Sequence, residues 1–295
     1  MNAMKVIRFD NNPLISPDSS PEIGTNINGP SVIRKPEWLN GIQGKYLMYF
    51  AHHHGSNIRL ACAESLTGPW KIVAGGSLHL DDVYCEDHVA SPDIHIDETN
   101  RLIIMYYHGI LRSPRGQWSF RAVSEDGINF RSESNFIAPF YLRVFKYKDA
   151  FYGLAKNIGH PGGVLLRSED GIKPFVTGHQ VLPDMRHAAV MVRENGILDI
   201  FYSRSGDCPE RILYCSMPLD NDWKSWCPGE SVTVMEPEYD YEGVNEPLAA
   251  SRTGWAPAPV RQLRDPAVYK EDDRIYLFYS NAGEQGICGA EVKGI

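Results

Sequence analysis

The chain lacks several things at once. No apolar run among its 295 residues approaches the length of a membrane span. No sustained i, i+3, i+4, i+7 apolar stripe marks a long amphipathic helix. Lys and Arg, 29 in all, are outnumbered by 37 Asp and Glu, for a net charge of −8, so there is no basic footprint for nucleic acid. No two of the six cysteines, Cys62, Cys85, Cys208, Cys215, Cys227 and Cys288, stand at CxxC spacing, and they read as reduced thiols of a cytoplasmic protein. The opening "MNAMKVIRFDNN" has neither an apolar core nor a cleavage pattern, so no secretory signal is expected.

What is present is turn and strand chemistry: 26 glycines, 20 prolines and 15 tyrosines. One phrase recurs five times. A short apolar strand, as in "PSVIRK", "PDIHID", "LRVFKY", "HAAVMVR" or "PAVYKE", meets a tight turn. A longer apolar, aromatic strand then ends in polar residues and a glycine: "YLMYFAHHHG", "LIIMYYHG", "FYGLAKNIG", "LDIFYSRSG", "IYLFYSNAG". A third strand follows in most units and runs into a Ser-acidic-Gly turn, "SEDG" in two cases, whose Asp-Gly supplies the positive φ of a hairpin. Four antiparallel strands repeated five times predict an all-β, five-bladed β-propeller spanning 1–295 as one domain, with blades starting near residues 29, 91, 141, 187 and 265. "KVIRFDNNPLI" is expected to add the strand that closes the ring onto the last blade.

Antiparallel geometry sorts residues by end. The starts of first strands and the ends of second strands meet at one mouth of the central channel, and the "SEDG" turns lie at the other end. The starts are Asn28, Asp93, Arg143, His187 and Asp265, with Arg186 and Arg264 adjacent. The second-strand ends are His52, His53, His54, His108, Lys156, Asn157, Arg204 and Asn281. So many ionisable groups in one funnel predict a ligand pocket. Three adjacent histidines on one strand end cannot all point the same way, so no metal site is assigned there. A structural calcium or other ion in the channel is left open, and no cofactor is expected.

The motifs carry a resemblance. "ASPDIHI" is similar to the second-blade motif of the arabinanase and β-xylosidase family, and "LRDPAVY" to the Arg-Asp-Pro motif of invertase-like enzymes. Both are five-bladed propeller glycoside hydrolases. The resemblance implies a carbohydrate ligand and carries Asp93 onto a position that tunes the acid and touches the sugar. The chain departs from the family at Gly29, where the general-base Asp would stand, and at Arg143, where the third blade would offer its acid. Propellers resembling neoagarobiose hydrolase use a histidine acid, which directs attention to His187 and His88.

Glycoside cleavage needs one group to protonate the leaving oxygen and one to activate water. The candidates are Asp93, Asp265, His187 and Glu242, the last on the long acidic loop "EPEYDYEGVNEPLAASRTGWAPAPV". Asn28, His53, His88, His108, Arg143, Arg204, Glu246, Trp255 and Arg264 are expected to bind substrate, Trp255 by stacking on a sugar ring. Glu210 and Arg211 read as a rim pair. The arginines suit an anionic or heavily hydroxylated ligand such as a uronic or anhydro sugar. The expected function is an inverting glycosidase acting on a small oligosaccharide or glycoside. A non-catalytic carbohydrate-binding propeller and a metal-dependent propeller hydrolase are the alternatives. The oligomeric state is not legible.

Overall fold

A computed structural model describes residues 4–220 and 222–295. Residues 1–3, the start of the segment inspected for a signal, and residue 221, in the longer fourth unit, lie outside the described residues. The chain folds into five antiparallel sheets arranged as propeller blades. Blade 1 runs Asn28–Arg34, Tyr46–Ala51, Arg59–Ala63 and Lys71–Val73 from the axis outward. Blade 2 begins with Glu86–Asp97, Leu102–Arg112 and Arg115–Ser124, and two short strands, Arg131–Ser132 and Ala138–Pro139, both pair with the third. Blade 3 comprises Arg143–Tyr147, Ala150–Lys156, Gly163–Ser168 and Val176–Val181. Blade 4 comprises Met185–Val192, Ile197–Arg204, Ile212–Pro218 and Val232–Met235. Blade 5 takes Arg264–Glu271, Arg274–Asn281 and Gly286–Lys293 from the end of the chain and its outermost strand, Lys5–Arg8, from the beginning. That strand pairs antiparallel with the last one, Arg8 opposite Ala290, so the ring closes as the sequence predicts. Three single-turn 3₁₀ segments are the only helical elements among the described residues.

The second strands read as continuous apolar runs because a blade is covered on both faces by its neighbours. Every residue of Tyr46–Ala51 is buried. Alternate residues serve alternate interfaces: Leu47 and Tyr49 pack with Met105 and Tyr107 of blade 2, while Met48 and Phe50 pack with Tyr276 and Phe278 of blade 5. Between blades 3 and 4 the buried Trp226 ring lies 4.6 Å from that of Tyr152. The "SEDG" turns are structural. Asp126 Oδ1 accepts from the amides of Ile128 and Asn129 at 2.9 and 2.7 Å, and Asp170 repeats this with Ile172 and Lys173.

The entry of the inner strands matters most for function. In blades 1, 2 and 5 the pairing slips at an equivalent place, between Asn28 and Ser31, between Ala90 and Asp93, and between Arg264 and Ala267, and blade 2 slips once more between Glu86 and Val89. Each of the three equivalent slips holds a residue with positive φ followed by proline: Gly29 at 58°, Ser91 at 51° and Asp265 at 46°. A left-handed residue in a bulge re-aims its side chain. Glycine takes this backbone without cost, whereas an aspartate held there is strained, a pattern concentrated at functional sites. The bulges also fix equivalence between blades. Asp265 matches Ser91 and Gly29, whereas Asp93 matches Ser31 and Ala267, two residues further down the channel.

Candidate functional site

At the mouth, Asp265 is 4 % exposed. Its Oδ1 lies 2.8 Å from His187 Nε2, and its Oδ2 accepts from Ser280 Oγ at 3.2 Å. Arg186 Nη1 donates to His187 Nδ1 at 3.1 Å, which leaves Nε2 to carry the imidazole hydrogen toward Asp265. Burial opposes ionisation of Asp265, but His187, Arg186 and Arg264 outweigh it and hold the carboxyl far below its usual range. Burial pulls His187 down to about 4 in spite of Asp265, so the imidazole is neutral at pH 7.

Two further carboxylates stand beside this pair. Glu284, 1 % exposed, accepts from Arg264 Nη1 at 2.8 Å and Asn26 Nδ2 at 2.5 Å, and its Oε2 lies 3.5 Å from His53 Nδ1. Burial works against its charge, and His53 and Arg264 overcome it, so its pKa is lowered; Asp265 pushes the other way. Glu210, fully buried, accepts from Arg186 Nη1 at 3.2 Å, Ser203 Oγ at 2.6 Å and Ser251 Oγ at 2.6 Å, and pairs with Arg264 Nε at 3.1 Å. Two guanidiniums thus hold two carboxylates together across blades 4 and 5. Arg186 also donates to the carbonyls of Arg252 and Gly254, which draws the long loop over the mouth.

Aromatic and imidazole rings complete the wall. Tyr141 is centred 4.6 Å from His187 and 4.7 Å from His108, and His108 meets His88 edge-on at 5.5 Å. Burial holds His108 well below 6.5, and its Nδ1 has no hydrogen-bond partner. His54 lies edge-on to Trp255 at 5.1 Å, linking blade 1 to the loop.

Of the residues singled out by sequence, the mouth brings together Asp265, His187, Arg264, Asn28, His53, His88 and His108, with Arg143 as its floor. Arg143 donates to the carbonyls of Ala188 at 3.0 Å and Ser91 at 3.0 Å, spanning from blade 3 to its two neighbours. Asp93 lies beneath it, in a ≈ 40 Å³ cavity lined also by Ser31 and Ala267, and accepts from the Val144 amide at 2.8 Å with His95 Nε2 at 2.9 Å. With the bulges of blades 2 and 5 in register, Asp93 follows the proline that Asp265 precedes, which is the reason for this separation. Glu242 is not at the mouth. It is fully buried at the blade 5 periphery, accepting from Arg8 Nε at 2.7 Å and Tyr279 Oη at 2.7 Å, and it clamps the loop to the ring-closing strand. Glu246 is exposed. Arg204 pairs with Asp207 at 3.3 Å on a groove between blades 3 and 4. The rim reading of Glu210 is corrected: it is central, and Arg211 pairs with Asp207 and Glu236 instead.

The sequence reading missed Glu284 and Asn26. Glu284 follows Gly283, one residue past the repeated phrase, and the glycine that ends the phrase hid it. Among the described residues no group of three His, Cys, Asp or Glu is placed to hold a metal ion, and no helix is long and apolar enough to cross a membrane.

No family model matches the chain. Among solved structures it is similar to a glycosyl hydrolase from Bacteroides ovatus (TM-score 0.70, 10 % identity, covering 97 % of this chain and 93 % of that one). It is also similar to a thermostable family-43 glycoside hydrolase (TM-score 0.64, 13 % identity, 90 % and 88 % covered). A third is the GH43_1 enzyme from Xanthomonas citri complexed with xylose (TM-score 0.59, 13 % identity, 92 % and 88 % covered). At such identity the likeness establishes the fold, the five-bladed propeller of the arabinanase and xylosidase type. In sequence the chain is 34 % identical to "Uncharacterized protein R118" of Acanthamoeba polyphaga mimivirus, over 97 % of this chain and 90 % of that protein. With that identity over nearly its whole length, the chain belongs to the family of this mimiviral protein, built on the propeller that family-43 glycoside hydrolases share.

Proposed function

We propose that the protein is a glycosidase that cleaves a small oligosaccharide or glycoside at the propeller mouth, with inversion. The observation that carries this reading is the buried, ionised Asp265, held in a strained backbone conformation at the axis end of a blade and tied to His187 at 2.8 Å. Asp265 is the carboxylate that activates water. Glu284 is the proton carrier. The strongest influences keeping it ionised after burial come from His53. A sugar that displaces His53 removes the largest influence holding it ionised and leaves Arg264 alone against burial and the Asp265 charge, so its pKa rises and separates acid from base. In the inverting geometry a water fits between the two carboxyls. The sugar-bound structural neighbour from Xanthomonas citri supports a saccharide as the ligand.

A non-catalytic carbohydrate-binding propeller is the second reading. It is favoured by the engagement of every mouth carboxylate by Arg, Asn, Ser or His. Aryl glycosides and short oligosaccharides, assayed with the parent chain, separate the two. Turnover establishes the hydrolase, and saturable binding of a sugar without turnover establishes the binding protein.

A further inference from the structure

The charges of the mouth do not balance. Five cations are buried there or in its floor, Arg59, Arg143, Lys156, Arg186 and Arg264, each 3–9 % exposed. Four carboxylates share the interior with them, Asp265, Glu210, Glu284 and, beneath the floor, Asp93, while Asp184, exposed to solvent, acts on Lys156 only from beyond ion-pair distance. Burial lowers His88, His108 and His187, so they are not counted as cations. Arg186 and Arg264 are taken up by Glu210 and Glu284. Arg143 and Asp93 influence one another across the floor. Arg59 and Lys156 have no carboxylate within ion-pair distance among the described residues, and each meets only a carbonyl: Asn26 O at 3.3 Å for Arg59, Met185 O at 2.5 Å for Lys156. Burial pulls Arg59 down to about 10, and burial with the neighbouring Arg186 lowers Lys156 although Asp184 and Glu210 act on it from a distance in the opposite sense. A buried cation with no carboxylate in contact is costly. Lys156 ends the second strand of blade 3 and Arg59 begins the third strand of blade 1, so the two stand at the mouth end on different sides of the ring. The unpartnered Nδ1 of the buried His108 is a further polar atom left for a ligand.

We propose that the mouth binds an anionic saccharide, a sugar carrying a carboxylate, sulfate or phosphate, in preference to its neutral counterpart. The anion completes the coordination of one of the two cations, Lys156 or Arg59, and the sugar hydroxyls meet His108 and the other imidazoles. This inference rests on the saccharide-binding reading of the mouth but not on hydrolysis.

The test is calorimetric titration of the full chain with glucuronic and galacturonic acids, with glucose and galactose as neutral partners, and with glucose 6-sulfate and glucose 6-phosphate to distinguish the anion. The same titrations follow on Lys156→Met and Arg59→Met, which keep the apolar stem, with melting curves to show that each variant folds. The expected result is affinity for at least one anionic sugar above its neutral partner, falling with added salt. That affinity should drop about tenfold or more in a folded variant, as loss of a charge-assisted hydrogen bond implies. Neutral sugars binding as well as their acids overturn the proposal, as do two folded variants with parental affinity for the acid, or failure of every anionic sugar to bind at millimolar concentration. Acids bound but not cleaved as glycosides leave this inference standing and remove the hydrolase reading. Turnover confined to neutral glycosides does the reverse.

Discussion

Replacing Glu210 by Gln tests whether the mouth is held by its ion pairs. The carboxylate is fully buried and serves Arg186, Arg264, Ser203 and Ser251 at 2.6–3.2 Å. Gln keeps the shape and one acceptor oxygen but removes the charge that balances two guanidiniums, each 3 % exposed. Breaking a buried pair from one side costs about 3–5 kcal/mol, because the remaining charge stays buried. A chain of 295 residues unfolds with an entropy of about 0.6 kcal/mol/K, so the melting temperature should fall by about 5–8 °C. Glu238→Gln is the comparison. Glu238 lies 3.0 Å from Arg8 with a side chain 58 % exposed, and such a pair contributes under about 1 kcal/mol. Scanning calorimetry of parent and both variants at pH 7 decides the matter. Equal melting of Glu210→Gln and Glu238→Gln refutes the reasoning.

Glu242→Gln should lower the melting temperature by a similar amount, about 3 kcal/mol in stability, while leaving any sugar affinity unchanged, because Glu242 holds Arg8 and Tyr279 away from the mouth; an altered dissociation constant contradicts this placement. Glu284→Gln should slow cleavage of glycosides with poor leaving groups by about a hundredfold or more and affect activated aryl glycosides far less, the mark of a lost general acid; an equal loss on both contradicts the role. His187 binds its proton near 4 when folded against 6.5 in the free side chain. Between those values the unfolded chain binds more protons, so stability is intact above pH 6.5 and falls by up to about 1.4 kcal/mol per pH unit toward pH 4; removal of this slope in His187→Gln, read by urea titration across the window, checks it.

The propeller was legible because its cause is local and repeated. A short strand, a tight turn and an aromatic strand ending in glycine recur in every blade, and each blade buries both faces against the next. The starts of strands at one mouth followed from antiparallel geometry alone, which is why His187, Asp265 and Arg264 were found. The depth of Asp93 was not legible. Asp93 follows the proline of its bulge whereas Asp265 precedes the proline of an equivalent bulge, which sets Asp93 two residues deeper, and the bulges that fix this equivalence leave no periodic trace. Glu242 misled because a carboxylate on a long acidic loop reads the same whether it faces a ligand or Arg8, over two hundred residues away. Glu210 was read as a rim residue for the same reason: its partners Arg186, Ser251 and Arg264 come from three separate segments.

The most direct test of the central claim is hydrolysis by the parent chain and by Asp265→Asn, on aryl glycosides and short oligosaccharides of neutral and acidic sugars, with the product anomer followed by NMR. The expected result is parental turnover with inversion, reduced at least about a hundredfold in a variant that still melts cooperatively. Parental rates in folded Asp265→Asn, or no turnover by the parent on any sugar that it binds, contradict the account.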